Sequence, residues 1–289
     1  MGTGNTSILI DDECGEVCAL QNVTPRPGRE HMTAASTTSR ALNHANRICM
    51  VTSTFPRWSD DTVPHFVLDM ATDLVQKGWQ VDVLAPHCDG ALAREEMDGV
   101  NVTRFRYLWP AALETLAYGE GGAIQALRRK PWNALKLPFF FLGQLIALHR
   151  LTKQRQTAVI NSHWLVPQGL AASIVSRLSG LPHVATVHGG DVLGLTSAPF
   201  LQAKRLALKK CSACTVNSSV TEAAVRALAP SSLRIERIPP GAEPLPPAAA
   251  EIVRSVRDRY ARTDEVLLLF VGRLIPQKGC DHLLAAMKI

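Results

Sequence analysis

An α/β fold on a doubly wound parallel sheet is the architecture this chain predicts, and three observations lead to it. From Arg47 onward, short apolar runs alternate with stretches whose apolar residues recur at helical spacing. Gly, Pro, Ser and Asp stand where strands must stop and helices must start. A proline cluster near residue 240 is followed by a fresh strand-like run. A second α/β unit therefore starts there, and only its first strand and helix are expected within this sequence.

Residues 1–46 lack periodicity and are rich in Thr, Ser, Asn and Ala, the pattern of a poorly ordered tail. Ile48–Ser53 is the first strand. Asp61-Thr62-Val63-Pro64 then offers capping residues and an early proline, Phe66, Met70, Leu74 and Val75 follow at helical spacing, and Gly78 ends the helix. Val81–Ala85 and the alternating Val100–Tyr107 are the next strands. Strands follow at Val159–Ser162, His183–Val187, Ala213–Asn217 and Leu233–Ile238. Helices are expected at Pro167–Leu178, Ala198–Lys210 and Val220–Ala229, the last with Ser218 as its cap. After Pro239–Pro247 come a charged helix, Glu251–Tyr260, and Val266–Val271, the most strand-like run in the chain. A helix at Asp281–Met287 closes the pattern. The divisions are a tail (1–46), a Rossmann-like domain (47–240), a Pro-rich linker and helix (241–262) and the opening of a second domain (263–289).

Composition narrows the function. Hydrophobic residues at 46% and charged residues at 19% over 289 residues describe a globular chain. The net charge of +6 suits phosphate-bearing ligands or an anionic surface, whereas the scattered Lys and Arg and the lack of any nucleic-acid-binding motif speak against nucleic acid. Cys211 and Cys214 leave a helix and enter a strand, the reverse of a redox C-x-x-C. They read as small buried thiols of a reducing compartment. The acidic start, with Asp11, Asp12 and Glu13, is unlike a secretory signal. Leu135–Leu148 reads as too short and too interrupted to span a bilayer. A cytoplasmic location is expected, with peripheral contact at the inner face of the plasma membrane as the alternative. Residues 128–155 carry that alternative, because their apolar helix has a basic rim; packing of the helix on the sheet is the favoured reading.

Val271-Gly272-Arg273-Leu274-Ile275-Pro276-Gln277-Lys278-Gly279 lies between a predicted strand and a predicted helix, where open α/β sheets bind ligands. A helix N-terminus, an Arg fork and a Lys point charge together suit a diphosphate, although a surface loop with two solvated cations fits the spacing equally well. This V-G-R-L-x-x-x-K-G run resembles the opening of the C-terminal domain of family 4 glycosyltransferases. Val51–Pro56 with Pro64–Val67, Tyr118–Gly122 with Lys130-Pro131-Trp132, His163–Gly169 and His188–Val192 are similar to segments of one branch of that family. The resemblance covers about Arg47 to Ile289. It departs from the family at Pro240, where an Asn is usual in I-P-N-G, and the family's paired glutamates would lie beyond Ile289.

The resemblance implies a GT-B fold of two Rossmann-like domains. It also implies transfer of a sugar from a nucleotide-diphosphate donor to a glycan, lipid-linked or small-molecule acceptor, with retention of configuration and without a metal or other cofactor. Arg273, Lys278 and Gly279 would hold the donor phosphates. His188 and Asp191 would serve the reacting centre, unless they merely hold each other in a turn. His163, Arg57 and His65 are candidate acceptor contacts, and a structural role for His163 beside Trp164 fits nearly as well. With so little of the donor domain in the sequence, impaired activity is expected. A non-catalytic acceptor- or membrane-binding fragment and a nucleotide-sugar epimerase are the alternative functions.

Overall fold

The computed structural model of the protein describes residues 46–118, 130–241, 246–262, 265–272, 274 and 278–287. The tail (1–45), the Gly119–Gly122 part of one family-like segment, the cations Arg128 and Arg129, and Arg273, the expected donor-phosphate contact, lie outside the described residues.

Eight strands form one sheet in the order β3-β4-β2-β1-β5-β6-β7-β8. β1 (Arg47–Val51) lies at its centre, paired in parallel with β2 (Gln80–Pro86) on one side and β5 (Val159–His163) on the other. Beyond β2 comes β4 (Val100–Phe105), and beyond β5 come β6 (His183–Val187), β7 (Ala213–Val216) and β8 (Arg234–Arg237), all parallel. The central strands are buried on both faces, which is why they read as near-continuous apolar runs. Only β3 (Arg94–Met97) runs antiparallel, in a hairpin with β4. No strand was predicted there, because Arg-Glu-Glu-Met carries almost no apolar signal. Pairing with Val100–Thr103 imposes it.

Helices cover both faces. Helix α1 (Phe66–Gln76) turns Val67, Leu68 and Ala71 onto Met50, Val81, Val83, Val100 and Val102. The predicted capping residues do not cap it: the N-cap is His65, whose carbonyl accepts from the Asp69 N–H, and Met70 faces outward. On the other face, α2 (Leu137–Arg155) and α3 (Leu170–Ser179) bury Phe140, Leu148, Leu151, Ala172 and Val175 against Cys49, Val51, Leu84, Phe105 and Ile160. Each fully buried Leu or Ile of this layer is worth about 2 kcal/mol of transfer free energy. Gly143 lets α2 approach the end of β4: a Cβ there would sit 2.7 Å from the Arg106 carbonyl oxygen. Pro131–Arg155 as a whole is long and apolar enough to cross a membrane by length and composition, a longer segment than the sequence reading allowed, yet one side of it is built into this core.

The last third continues with a single helical turn α4 (Gly190–Leu193), then α5 (Ala198–Lys209) and α6 (Ser219–Arg226). Ser218 caps α6 as predicted, its hydroxyl accepting from the Thr221 N–H at 3.2 Å. Cys211 and Cys214 are free thiols at the α5–β7 junction. Helices α7 (Ala250–Tyr260) and α8 (Cys280–Ala286) form where expected. The predicted strand Val266–Val271 does not form. Strand structure needs a hydrogen-bonding neighbour; none is present among the described residues, and Val266, Leu269 and Val271 are each more than four-fifths exposed.

Candidate functional site

Strand order reverses at β1, so the crevice of this sheet opens between the carboxyl ends of β1 and β5. Three segments meet there: the loop after β1, the turn after β5 and the glycine turn after β6. Each begins where an apolar strand gives way to polar residues.

His163 ends β5 and is completely buried. His188 follows β6, and the two rings meet with His163 Nδ1 and His188 Nε2 at 3.0 Å. Burial pushes both rings well below the usual histidine range, to about 3 for His163 and about 4 for His188, so both are neutral at neutral pH. One of the two nitrogens must therefore donate. His163 Nε2 is buried with no partner, and an unpaired lone pair there costs less than an unpaired N–H. His163 thus carries its proton on Nδ1 and donates it to His188 Nε2. His188 then carries its own proton on Nδ1, to which no group among the described residues bonds.

Asp191 joins the two turns. Its carboxylate accepts from the Leu165 N–H at 3.0 Å and the His188 N–H at 3.1 Å. Burial raises its pKa, against the opposing pull of these backbone donors. Lys204, on α5 and fully buried, donates from Nζ to the carbonyls of Val192 (3.0 Å) and Gly194, so it fastens the far end of the same turn. Gly189 starts the turn at φ 92°, a backbone that side-chain-bearing residues rarely adopt. On the β5 side, Trp164 takes φ 73°, ψ 148°, a strained conformation for a bulky residue. Two backbone bonds hold it, its N–H to the Thr186 carbonyl and its carbonyl from the Gly169 N–H, each at 3.0 Å.

Aromatic packing brings α1 into the site. Phe66 meets His188 edge-on at 5.0 Å and Trp164 at 6.0 Å, and Trp164 lies 4.9 Å from His188. His65 precedes Phe66, yet its Nε2 is bonded to the Asp61 carbonyl oxygen at 2.9 Å. Arg57 is held by the same residue: Nε and Nη2 donate to the two Asp61 oxygens, each at 2.7 Å. The Arg57 guanidinium keeps Asp61 low, at about 2. Arg57 also lies over the rings of Trp58 and Tyr118, so both predicted acceptor contacts are engaged within their own loop.

The structure thus brings His163, His188 and Asp191 together at one edge, with the Arg57–His65 loop beside them. Lys278 is exposed and Gly279, at φ 71°, starts α8. Neither has a hydrogen bond or ion pair to the histidine pair among the described residues. The sequence reading missed Asp61, Phe66, Lys204 and the pair Asn217–Thr221, in which Thr221 Oγ1 donates to Asn217 Oδ1 at 2.8 Å. Asn217 Nδ2 in turn donates to the His188 carbonyl at 3.4 Å. Asn217 follows β7 as His188 follows β6, and that repeated polar residue just past a strand end was the available signal. Among the described residues, no group of three or more His, Cys, Asp or Glu side chains is placed to hold a metal ion.

Residues 63–244 match the profile of Glycosyltransferase Family 4. Among solved structures, sucrose-phosphate synthase from Thermosynechococcus elongatus superposes with a TM-score of 0.57 at 18% identity, covering 84% of this chain and 59% of that one. Anabaena HepE, solved in complex with UDP, superposes with a TM-score of 0.53 at 17% identity, covering 83% of this chain and 57% of that one. The chain therefore spans less than two thirds of either neighbour's length. No curated protein sequence matches the chain.

Proposed function

The chain belongs to glycosyltransferase family 4, with an α/β sheet of the GT-B type, and we propose that it serves retaining transfer of a sugar from a nucleotide-diphosphate donor to an acceptor. The observation that carries this reading is the neutral His163–His188 pair, fastened to Asp191 in the crevice where β1 and β5 diverge.

In this reading His188 Nδ1–H faces the donor sugar and donates to one of its oxygens as charge develops at the anomeric carbon. A neutral ring suits that role, since an imidazolium would repel the oxocarbenium-like centre. Asp191 fixes the His188 backbone and so fixes the direction of that donor. The bond from the anomeric carbon to the diphosphate breaks while the acceptor oxygen bonds to the same face, and the acceptor's proton passes to the departing diphosphate. Arg273, Lys278 and the start of α8 at Gly279 would offset the growing negative charge, a role that needs no metal ion. The acceptor would enter past the loop that Arg57, Asp61 and His65 stiffen.

The test is incubation of the protein with a panel of nucleotide-diphosphate sugars, with release of free nucleotide and fate of the sugar followed by chromatography and NMR. Product that keeps the donor's anomeric configuration, and donor turnover that falls at least about 100-fold in His188→Ala, are expected. Turnover unaffected by His188→Ala overturns the assignment of the site. Loss of turnover on chelation, restored by Mg²⁺, overturns the metal-free mechanism. Epimerised sugar formed from donor alone identifies an epimerase instead.

A further inference from the structure

Helix α2 is apolar on two opposite sides, and only one of them is covered. Phe140, Leu148 and Leu151 are in the core, whereas Phe139, Leu142 and Ile146, with Trp132 and Leu135 of the helical turn (Pro131–Lys136) that leads into it, recur every three or four residues and stand between 42% and 74% exposed. In the loop after β4, Trp109, the most exposed aromatic residue described, and Leu113 are exposed as well. Lys136 ties the Leu113–Thr115 part of that loop to the start of α2, donating from Nζ to the Leu113 carbonyl at 3.0 Å and the Thr115 hydroxyl at 2.9 Å. The stripe runs on into Arg150 and Lys153, both exposed.

Charge around the stripe has one sign. Residues 130–155, the stretch that carries the stripe, contain five Lys and Arg and no Asp or Glu. A second copy of the chain laid on this face would set cations against cations with no carboxylate to offset them. A bilayer with anionic headgroups supplies both an apolar boundary for the stripe and negative charge for its rim. The helix cannot cross that bilayer, because its other side is built into the sheet.

We propose that the outer face of α2, with Trp109 and Leu113, docks on an anionic lipid surface with the helix lying in the plane of the interface. The segment from β4 to β5 returns from the carboxyl edge of the sheet to its amino edge, so Trp132 and Leu135 stand at the edge that holds His163 and His188. Docking brings that edge to the lipid. It follows, resting on the transferase reading above, that the acceptor is anchored in the membrane.

Sedimentation of the full chain with phosphatidylcholine vesicles, with and without phosphatidylglycerol, measures the docking without any turnover, so it can fail while the transferase reading stands, and the reverse. The chain is expected to pellet with the anionic vesicles and to be released by salt. Reversing two cations, Arg150→Glu with Lys153→Glu, lowers the partition coefficient at least about tenfold. Phe139→Ser with Leu142→Ser lowers it similarly while circular dichroism melting confirms the fold, since both residues are more than half exposed and outside the core. A chain that stays in the supernatant with both vesicle types overturns the proposal. So does equal binding to neutral vesicles, or a dimer in solution that Phe139→Ser with Leu142→Ser converts to monomers.

Discussion

At the carboxyl edge of the sheet, burial decides the behaviour of single residues. His163, His183 and His188 are all held neutral by desolvation, at about 3, 4 and 4. The unfolded chain takes up protons at these rings below its ordinary value of about 6.5, and the folded chain refuses them until near 4. Stability is thus complete above about pH 6.5 and falls as pH drops toward 4, by up to about 1.4 kcal/mol per pH unit for each ring. Urea unfolding followed between neutral pH and mildly acid pH should show this slope. It should be shallower in His183→Gln, which removes a ring bonded to Ser162 away from the histidine pair; an unchanged slope in that variant would refute the assignment. The proton on His163 Nδ1 is a second matter of position. His163→Phe keeps the ring volume but lets His188 choose either tautomer, so turnover should fall about tenfold to 100-fold with KM nearly constant. A drop in KM-limited binding alone would mean that His163 only lines the pocket.

Among elements, the connections that carry the site are more constrained than the strands that present them. Asp191→Ala leaves two buried N–H groups, of Leu165 and His188, without an acceptor, at about 2–4 kcal/mol by chemical denaturation. Gly143→Ala probes the packing of α2. Its Cβ would meet a backbone oxygen that no rotamer change can move, so a loss of about 1–3 kcal/mol is expected, and a neutral result would mean that α2 does not sit so close to Arg106. Gly143 stands inside a helix, where the same substitution is ordinarily stabilising, so the sign of the effect is diagnostic.

For the molecule as a whole, the sheet buries a core on each face while α7 and the run Val266–Val271 bury little. Ile252, Val253 and Val256 of α7 are about half exposed, and the apolar run has no strand partner among the described residues. Such a segment, rich in β-branched and aliphatic residues and poor in charge, is a template for intermolecular pairing. Leu267→Lys with Leu269→Lys should therefore reduce light scattering on concentration or mild heating. The melting temperature of the sheet should not change, because neither side chain belongs to the core on either face of the sheet. A lowered melting temperature would show that the run packs on the sheet after all.

Local chemistry made much of this legible from residue order alone. Helix periods, glycine stops and the Ser218 cap placed seven of the strands and most helices, because each depends on neighbours a few residues away. The strand ends put His163 and His188 at one edge, since a parallel sheet aligns its carboxyl ends, whereas the bond between the two rings came only from the folded structure. Long-range pairing was different. β3 exists because β4 lies beside it, and Val266–Val271 stays unpaired because strand structure is a property of two strands rather than one. Asp61 looked like a helix cap and instead holds Arg57 and His65, a choice made by which donors the folded loop brings within reach. Residue order alone established the α/β alternation, the sheet edge and the family of the site. Only the tertiary structure decided which proton each histidine carries, which carboxylate holds which turn and which side of α2 is left in water, because those depend on groups brought together across distant parts of the chain.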